Sequence, residues 1–364
     1  MKRWLTMAGL GFAGIVALAT ATVCLTSGCS TLGYYAQSVS GHLHIVRSAK
    51  PVPEWLADGT ASAALKERLA LSQRMRDYAV SELELPDNAS YRRYADLKRP
   101  AAVWNVVAAP ELSLTLKTWC FPVVGCVGYR GYYDRAQADA FAAALKSEEA
   151  LEVGVYGVPA YSTLGQLPGD WLADPLLNTF ILYPEGELAR LIFHELAHQV
   201  AYAKDDTEFN ESFATTVERI GGQRWLASHA SQAARDEYAR FDGRRQDFRS
   251  LTLAYRDKLD ALYRSEAGDE AKRAGKTTLM AALQADYAAL KAGRWAGFSG
   301  YDSWFAHANN ASLGVLAAYN ALVPAFERLF EREGRDFERF YAEVKRLAAL
   351  PKAERRAALT LQGN

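Results

Sequence analysis

The residues with the clearest chemical capacity are His194-Glu195-Leu196-Ala197-His198. Side chains four positions apart lie about one turn apart on one face of a helix, and the surrounding residues from Leu191 to Gln199 include neither Gly nor Pro. That spacing lets both imidazoles reach one zinc ion. Glu195 projects about a quarter turn away, where its carboxylate can act as a general base on water instead of binding the metal. The helix is apolar nearly all round, so these three polar residues would be buried, and burial without partners is costly. On the motif alone, two histidines hydrogen-bonded inside a helical core are the alternative.

A third ligand must come from another helix packed against the first. Glu211 stands thirteen residues after His198, in Phe209-Asn210-Glu211-Ser212-Phe213-Ala214, and Glu218 follows two turns later on the same face. Two acids on a helix are ordinarily a solvated face, but beside the histidine pair Glu211 becomes the expected ligand. Asp205 with Glu208 reads as a capping box for this helix, with a short reversal of the chain after Tyr202.

His194-Glu195-x-x-His198 followed by Asn210-Glu211-x-Phe213-Ala214 resembles the gluzincin pattern of aminopeptidase N relatives. The resemblance implies that Glu211 completes a site for one zinc per chain. It also implies that Glu218 is a carboxylate orienting a ligand imidazole from behind. The interval from His198 to Glu211 is shorter than in those relatives, and the Gly-Ala-Met-Glu-Asn segment that grips a substrate amino terminus in them is absent from this sequence. More of the chain is similar to a bacterial lipoprotein family called putative or predicted aminopeptidases, through Cys120 to Cys126, Tyr161 to Gly165 and the histidine motif. The expected activity is zinc-dependent peptide hydrolysis, with peptides as substrates and an aminopeptidase as the leading form. An endopeptidase or amidase of envelope peptides is the alternative, and so is a non-catalytic envelope scaffold. The sequence names no protein partner.

A developing oxyanion needs a further donor. Tyr301, His307 and Tyr319 are the candidates, and the reading favours His307 and Tyr301 as catalytic residues beside Glu195. The alternative is that both are hydrogen-bonded packing residues. His42, His44 and His229 have no partner motif and read as ordinary. Residues 156 to 178 present either an edge strand for an extended substrate or a plain surface loop rich in Pro and Gly.

The elements that must hold these groups are mostly helices. A helical stripe runs over 61 to 85, and β-like runs follow at 102 to 108, 112 to 119, 151 to 158 and 178 to 183, with a helix over 134 to 145 between them. From about Glu187 onward the pattern is helical. Residues 231 to 295 read as a long helical hairpin broken near Gly268 or Gly275, and 304 to 332 and 335 to 349 as closing helices. The expected fold is α+β and mainly helical: a zincin-like small mixed sheet, a zinc-binding helix pair and a helical C-terminal part. Residues 29 to 364 read as one metallopeptidase domain with the hairpin as an insertion.

The N-terminus begins Met1-Lys2-Arg3, continues with an apolar stretch to about Val23, and reaches Leu25-Thr26-Ser27-Gly28-Cys29. This reads as a leader over 1 to 28; an anchoring helix is the alternative. The stretch resembles the lipobox of bacterial lipoproteins, which implies cleavage before Cys29 and acylation of it. Ser30 then points to the outer membrane of a Gram-negative cell, with the protein facing the periplasm. Cys24 would leave with the leader, so Cys120 and Cys126 would pair in an oxidising compartment, or else remain two buried thiols. With 42 basic and 42 acidic residues and 50% hydrophobic residues, the chain reads as a globular protein with no call for nucleic acid.

Overall fold

The computed structural model describes residues 29–121, 125–160, 162–163, 170–318 and 322–361. The leader lies outside them. In chain order the elements are α1 (Cys29–Ser48), β1 (Lys50–Pro51), α2 (Val52–Ala57), α3 (Ala63–Ser81), β2 (Arg93–Ala95), β3 (Val103–Ala109), β4 (Trp119–Phe121), β5 (Gly125–Val127) and β6 (Arg130–Tyr132). Then come α4 (Arg135–Glu149), β7 (Glu152–Val158), β8 (Leu176–Leu177), α5 (Glu185–Ala197), α6 (Thr207–Ser228), α7 (Gln232–Arg264) and α8 (Asp269–Ala292). The chain closes with α9 (Asp302–Ala306), α10 (Asn310–Ala318), α11 (Val323–Arg332), α12 (Phe337–Ala348) and α13 (Lys352–Leu361). The fold is α+β and mainly helical, as expected.

Side-chain caps set several helix starts. Ser62, Asp134, Ser231 and Asp336 each accept a backbone N–H at the head of a helix, satisfying one of the donors a helix start leaves free. Three small sheets form. β3 pairs antiparallel with β6 and with β7, the latter in register from Val103 opposite Val158 to Ala109 opposite Glu152. β2 joins β1 antiparallel and β8 parallel, and β4 with β5 makes a hairpin. α4 packs on β3 and β7.

The principal core lies where α3, α5, α6, α11 and α12 meet. Phe193, Phe209, Phe213, Phe326 and Phe340 are fully buried there, with Phe209 and Phe326 edge to face at 5.0 Å. Large aromatic rings in such contact supply much of the burial that holds helices together. No described helix is long and apolar enough to cross a membrane.

Three readings of local structure need correction. Residues 112 to 118 are irregular, because Leu114 packs against Leu259 and Leu313 instead of joining a sheet. Residues 178 to 183 form consecutive turns, with Ile181 N–H on Leu177 O, and the Asn178 side chain is engaged with Leu97 N and Arg99 O. The helix expected over 304 to 332 is broken after Ala306, where Asn309 and Ser312 cap each other; it resumes as α10 at Asn310, and α11 begins separately at Val323 with Pro324 in the first turn, a position that suits proline. The helical hairpin is present and breaks over 265 to 268, the first of the two expected places, while Gly275 lies inside α8 against Leu262.

Candidate metal centre

α5 and α6 pack along each other and, with His198 as the C-cap of α5, carry the residues of the centre. Two adjacent glycines in α6 allow the close approach. A Cβ on Gly221 would meet Leu83 at 2.6 Å and Phe193 at 3.0 Å, and one on Gly222 would meet the Arg190 stem at 2.7 Å. The reversal between the helices is clamped by Asn210, whose amide accepts from Ala203 N (2.7 Å) and donates to Ala203 O (2.8 Å). The helix cap is Asp206, which accepts from Phe209 N, not Asp205. Asp205 adopts a positive φ of 60° and accepts the Cys126 N–H at 2.7 Å.

This geometry brings three ligand-type atoms together. His194 Nε2 lies 3.1 Å from His198 Nε2 and 3.4 Å from Glu211 Oε2, and His198 Nε2 lies 3.8 Å from the same oxygen. Donors held tetrahedrally at about 2.0–2.2 Å from zinc stand roughly 3.3–3.6 Å apart. Two imidazole nitrogens and one carboxylate oxygen at these separations therefore fit such an ion in number, chemistry and size, and they are the group among the described residues that could hold one. His198 is buried, while His194, Glu195 and Glu211 are partly exposed. Burial pushes the Glu195 carboxyl up to about 7 against the pull of His194, and lowers His198 to about 4. Burial also works against the charge of Glu211, but His198 and His194 beside it hold its carboxyl below the usual range.

Behind His194 runs a chain of charges. Its Nδ1 lies 3.0 Å from Glu218 Oε2, and Glu218 Oε1 accepts from the Arg190 guanidinium. Burial opposes the charge of Glu218, yet Arg190 and His194 bring its carboxyl down to about 2. Arg190 also contacts Tyr238 (3.1 Å) and Asp242 (3.5 Å) on α7, and Arg245 of α7 bonds Glu187 of α5 at 2.6 Å.

A cavity of about 510 Å³ opens on His194, Glu195, His198 and Glu211, and aromatic residues including Tyr129 and Tyr202 line it. A second recess of about 260 Å³ shares Leu191, His194 and Glu195 and extends past Glu187 and Arg245. β7 is an outer strand of its sheet. The chain continuing from it lines the larger cavity with Val158, Pro159, Ala160 and Ser162. Cys120 and Cys126 form a disulfide across β4 and β5, and Phe121 and Val127 of this hairpin are also on the wall.

The two favoured oxyanion candidates stand elsewhere. His307 is exposed at the end of α9, with Nδ1 2.8 Å from Ser303 O. Tyr301 stacks on Phe248 at 4.4 Å and packs against Trp295 under the helical hairpin. Neither lines either cavity. α9 is drawn to α8 by Lys291 on Asp302 (2.6 Å) and by Tyr287 on the same carboxylate, which carries both residues to the hairpin side. Tyr319 lies outside the described residues. His229 stacks on Trp225 at 4.6 Å, an ordinary packing role.

Sequence reasoning missed Tyr129, Tyr202, Asp174 and Arg190. Burial raises both tyrosines, and the charge of Glu211 adds to it. Tyr202 had a local signal, one helical spacing beyond His198, whereas Tyr129 follows β5 and reaches the site only through the fold. Asp174, 2% exposed, accepts the Thr163 N–H at 3.0 Å and is held up at about 6 by burial.

Set against known proteins, residues 33–359 match the family model described as Putative aminopeptidase. No curated protein and no solved structure matches.

Proposed function

The chain belongs to that putative aminopeptidase family, and on this premise we propose that it is a gluzincin-type, zinc-dependent peptidase in which His194, His198 and Glu211 hold the ion and Glu195 is the general base. The observation that carries the reading is the triangle of Nε2, Nε2 and Oε2 atoms, 3.1 to 3.8 Å on a side, with Glu195 on the same cavity wall.

When bound, zinc supplies Lewis acidity, polarising a peptide carbonyl and making water more acidic. The Glu195 carboxylate then takes the proton of the attacking water and delivers it to the leaving amine nitrogen. Burial raises the Glu195 carboxyl and the positive charge of a bound ion would draw it back down, which would leave a carboxylate able to take a proton and pass it on. Glu218 Oε2, 3.0 Å from His194 Nδ1, favours the proton on that nitrogen, which would leave the Nε2 lone pair free for the metal. Tyr129 and Tyr202, which line the cavity and feel the charge of Glu211, are the proposed oxyanion donors.

The protein is further proposed to be exported and anchored by acyl chains on Cys29, in the outer membrane of a Gram-negative cell and facing the periplasm. The leader pattern supports this, as does the Cys120–Cys126 disulfide, a bond that persists in oxidising compartments. Labelling with a radioactive fatty acid, lost in Cys29→Ala, tests the anchor.

Metal analysis of the purified full chain, together with digestion of a mixed peptide library, tests the function. One zinc per chain with peptide cleavage is expected, and the positions cut separate exopeptidase from endopeptidase. Zinc without cleavage would leave a scaffold, and no zinc would remove the assignment.

A further inference from the structure

The larger cavity has a composition of its own apart from the metal centre. Tyr34, Tyr35, Phe121, Tyr129, Tyr133 and Tyr202 converge on it from α1, the disulfide hairpin, the β6 region and the reversal after α5. Aliphatic side chains, Val103, Val127, Val158 and Leu191 among them, fill the intervals. Its ionisable groups other than tyrosines are His194, Glu195, His198 and Glu211, all belonging to the centre itself. No Lys, Arg or Asp lines it among the described residues.

The aromatic wall is held in place before any ligand arrives. The Tyr34 ring stacks on Phe121 at 5.6 Å and stands edge-on to Tyr132 at 5.6 Å. The Arg130 guanidinium lies over the Tyr34 ring at 4.1 Å, outside the cavity lining. A wall fixed by such contacts loses little freedom on binding, which favours affinity. About 510 Å³ gives room for one large side chain with flanking backbone, within the usual size of ligand sites.

We infer that this cavity is a specificity pocket for a bulky neutral side chain, aromatic or large aliphatic, of a peptide substrate, and that it selects against Asp, Glu, Lys and Arg at that position. A carboxylate on a side chain in the aromatic part of the pocket would lose water and meet no Lys or Arg on the described lining, the ion of the centre being reserved for the reacting carbonyl. An ammonium or guanidinium would find only the carboxylates Glu195 and Glu211, which the centre already uses. Charges desolvated without partners are disfavoured, whereas large rings bury most apolar area against such a wall. The inference deepens the peptidase reading and rests on it for the word substrate; the pocket's preference is measurable without turnover.

The test uses the zinc-loaded full chain and Ala-based hexapeptides in which Phe, Leu, Ala, Lys or Glu is scanned through each position. Hydrolysis is read with wild type, and equilibrium binding with Glu195→Gln. At one position Phe and Leu are expected to exceed Lys and Glu by on the order of tenfold or more in both kcat/KM and affinity. Tyr34→Leu, and separately the exposed-rim change Tyr35→Ala, should shrink the ratio of Phe to Ala at that position. Because Tyr35 is 37% exposed, its variant keeps the test intact if Tyr34→Leu folds poorly. Selective binding without hydrolysis would uphold the pocket and defeat the peptidase reading. Hydrolysis with equal or better use of Lys or Glu, or an absence of selective binding, would overturn the pocket.

Discussion

Arg190 and Glu218 form a shielded ion pair directly behind a candidate metal ligand: the guanidinium donates to Glu218 Oε1, while Glu218 Oε2 lies 3.0 Å from His194 Nδ1. The side chains are only 9% and 16% exposed. Arg190 is itself held by Tyr238 and Asp242, so the first helix of the hairpin is connected by contact to the imidazole.

Removing the carboxylate from this pair should loosen the metal. Glu218→Ala is expected to weaken zinc binding by about 10- to 100-fold, the usual cost of losing a group that orients a ligand histidine. Competition with a chromogenic chelator reads the change, and an unaltered affinity would detach Glu218 from the centre.

Gly222 gives a steric test of the same link. A Cβ there would stand 2.7 Å from Arg190 Cγ and 3.4 Å from its Cδ, so Gly222→Ala must displace the arginine stem from α6. A loss of about 1–3 kcal/mol, typical of overpacking, is expected in urea unfolding, together with weaker zinc retention. A variant as stable as wild type would mean that the stem yields freely.

Much of this centre was legible because helical spacing is local. His194 and His198 must share a face at four residues apart, and Asn210 and Glu211 had to follow a short reversal to meet them. Arg190 was not legible, since an arginine one turn before His194 reads as an ordinary helix charge until Gly222 and Glu218 are known to face it. His307 and Tyr301 were single residues with no spacing to constrain them, and packing of α9 on α8 decided their position. The alternation in 112 to 119 resembled a strand, but its leucines serve contacts with α7 and α10, which no local pattern reveals. The disulfide pairing followed from counting cysteines, whereas its docking on Asp205 depends on the fold.

Asp174 predicts a pH dependence of stability. Burial raises its carboxyl from 3.8 to about 6, so the folded chain holds that proton more tightly than the unfolded one. Stability from this group is therefore greatest at low pH and falls as pH rises from about 4 to 6, by about 3 kcal/mol in total. Asp174→Asn lacks the titration. The stability of the variant relative to wild type should rise by that amount between pH 4 and pH 7.5 in chemical denaturation. A constant difference would contradict the account.

The disulfide closes a very short loop, so its entropic contribution is expected to be about 2 kcal/mol, below the ~3 of a 15-residue loop. Cys120→Ser with Cys126→Ser should lower unfolding free energy by that amount. It should also raise KM for peptides, because Phe121 and Val127 on the cavity wall lose their brace. An unchanged KM would separate the hairpin from substrate binding.

The central claim is that Glu195 moves the proton while His194, His198 and Glu211 hold the ion. Its most direct test is peptide hydrolysis by zinc-loaded wild type and Glu195→Gln, with zinc measured in both. The account predicts about one zinc in each protein and a rate at least 10²- to 10⁴-fold lower in the variant, the span of general base catalysis. Equal rates in the two proteins, at equal zinc, would contradict it.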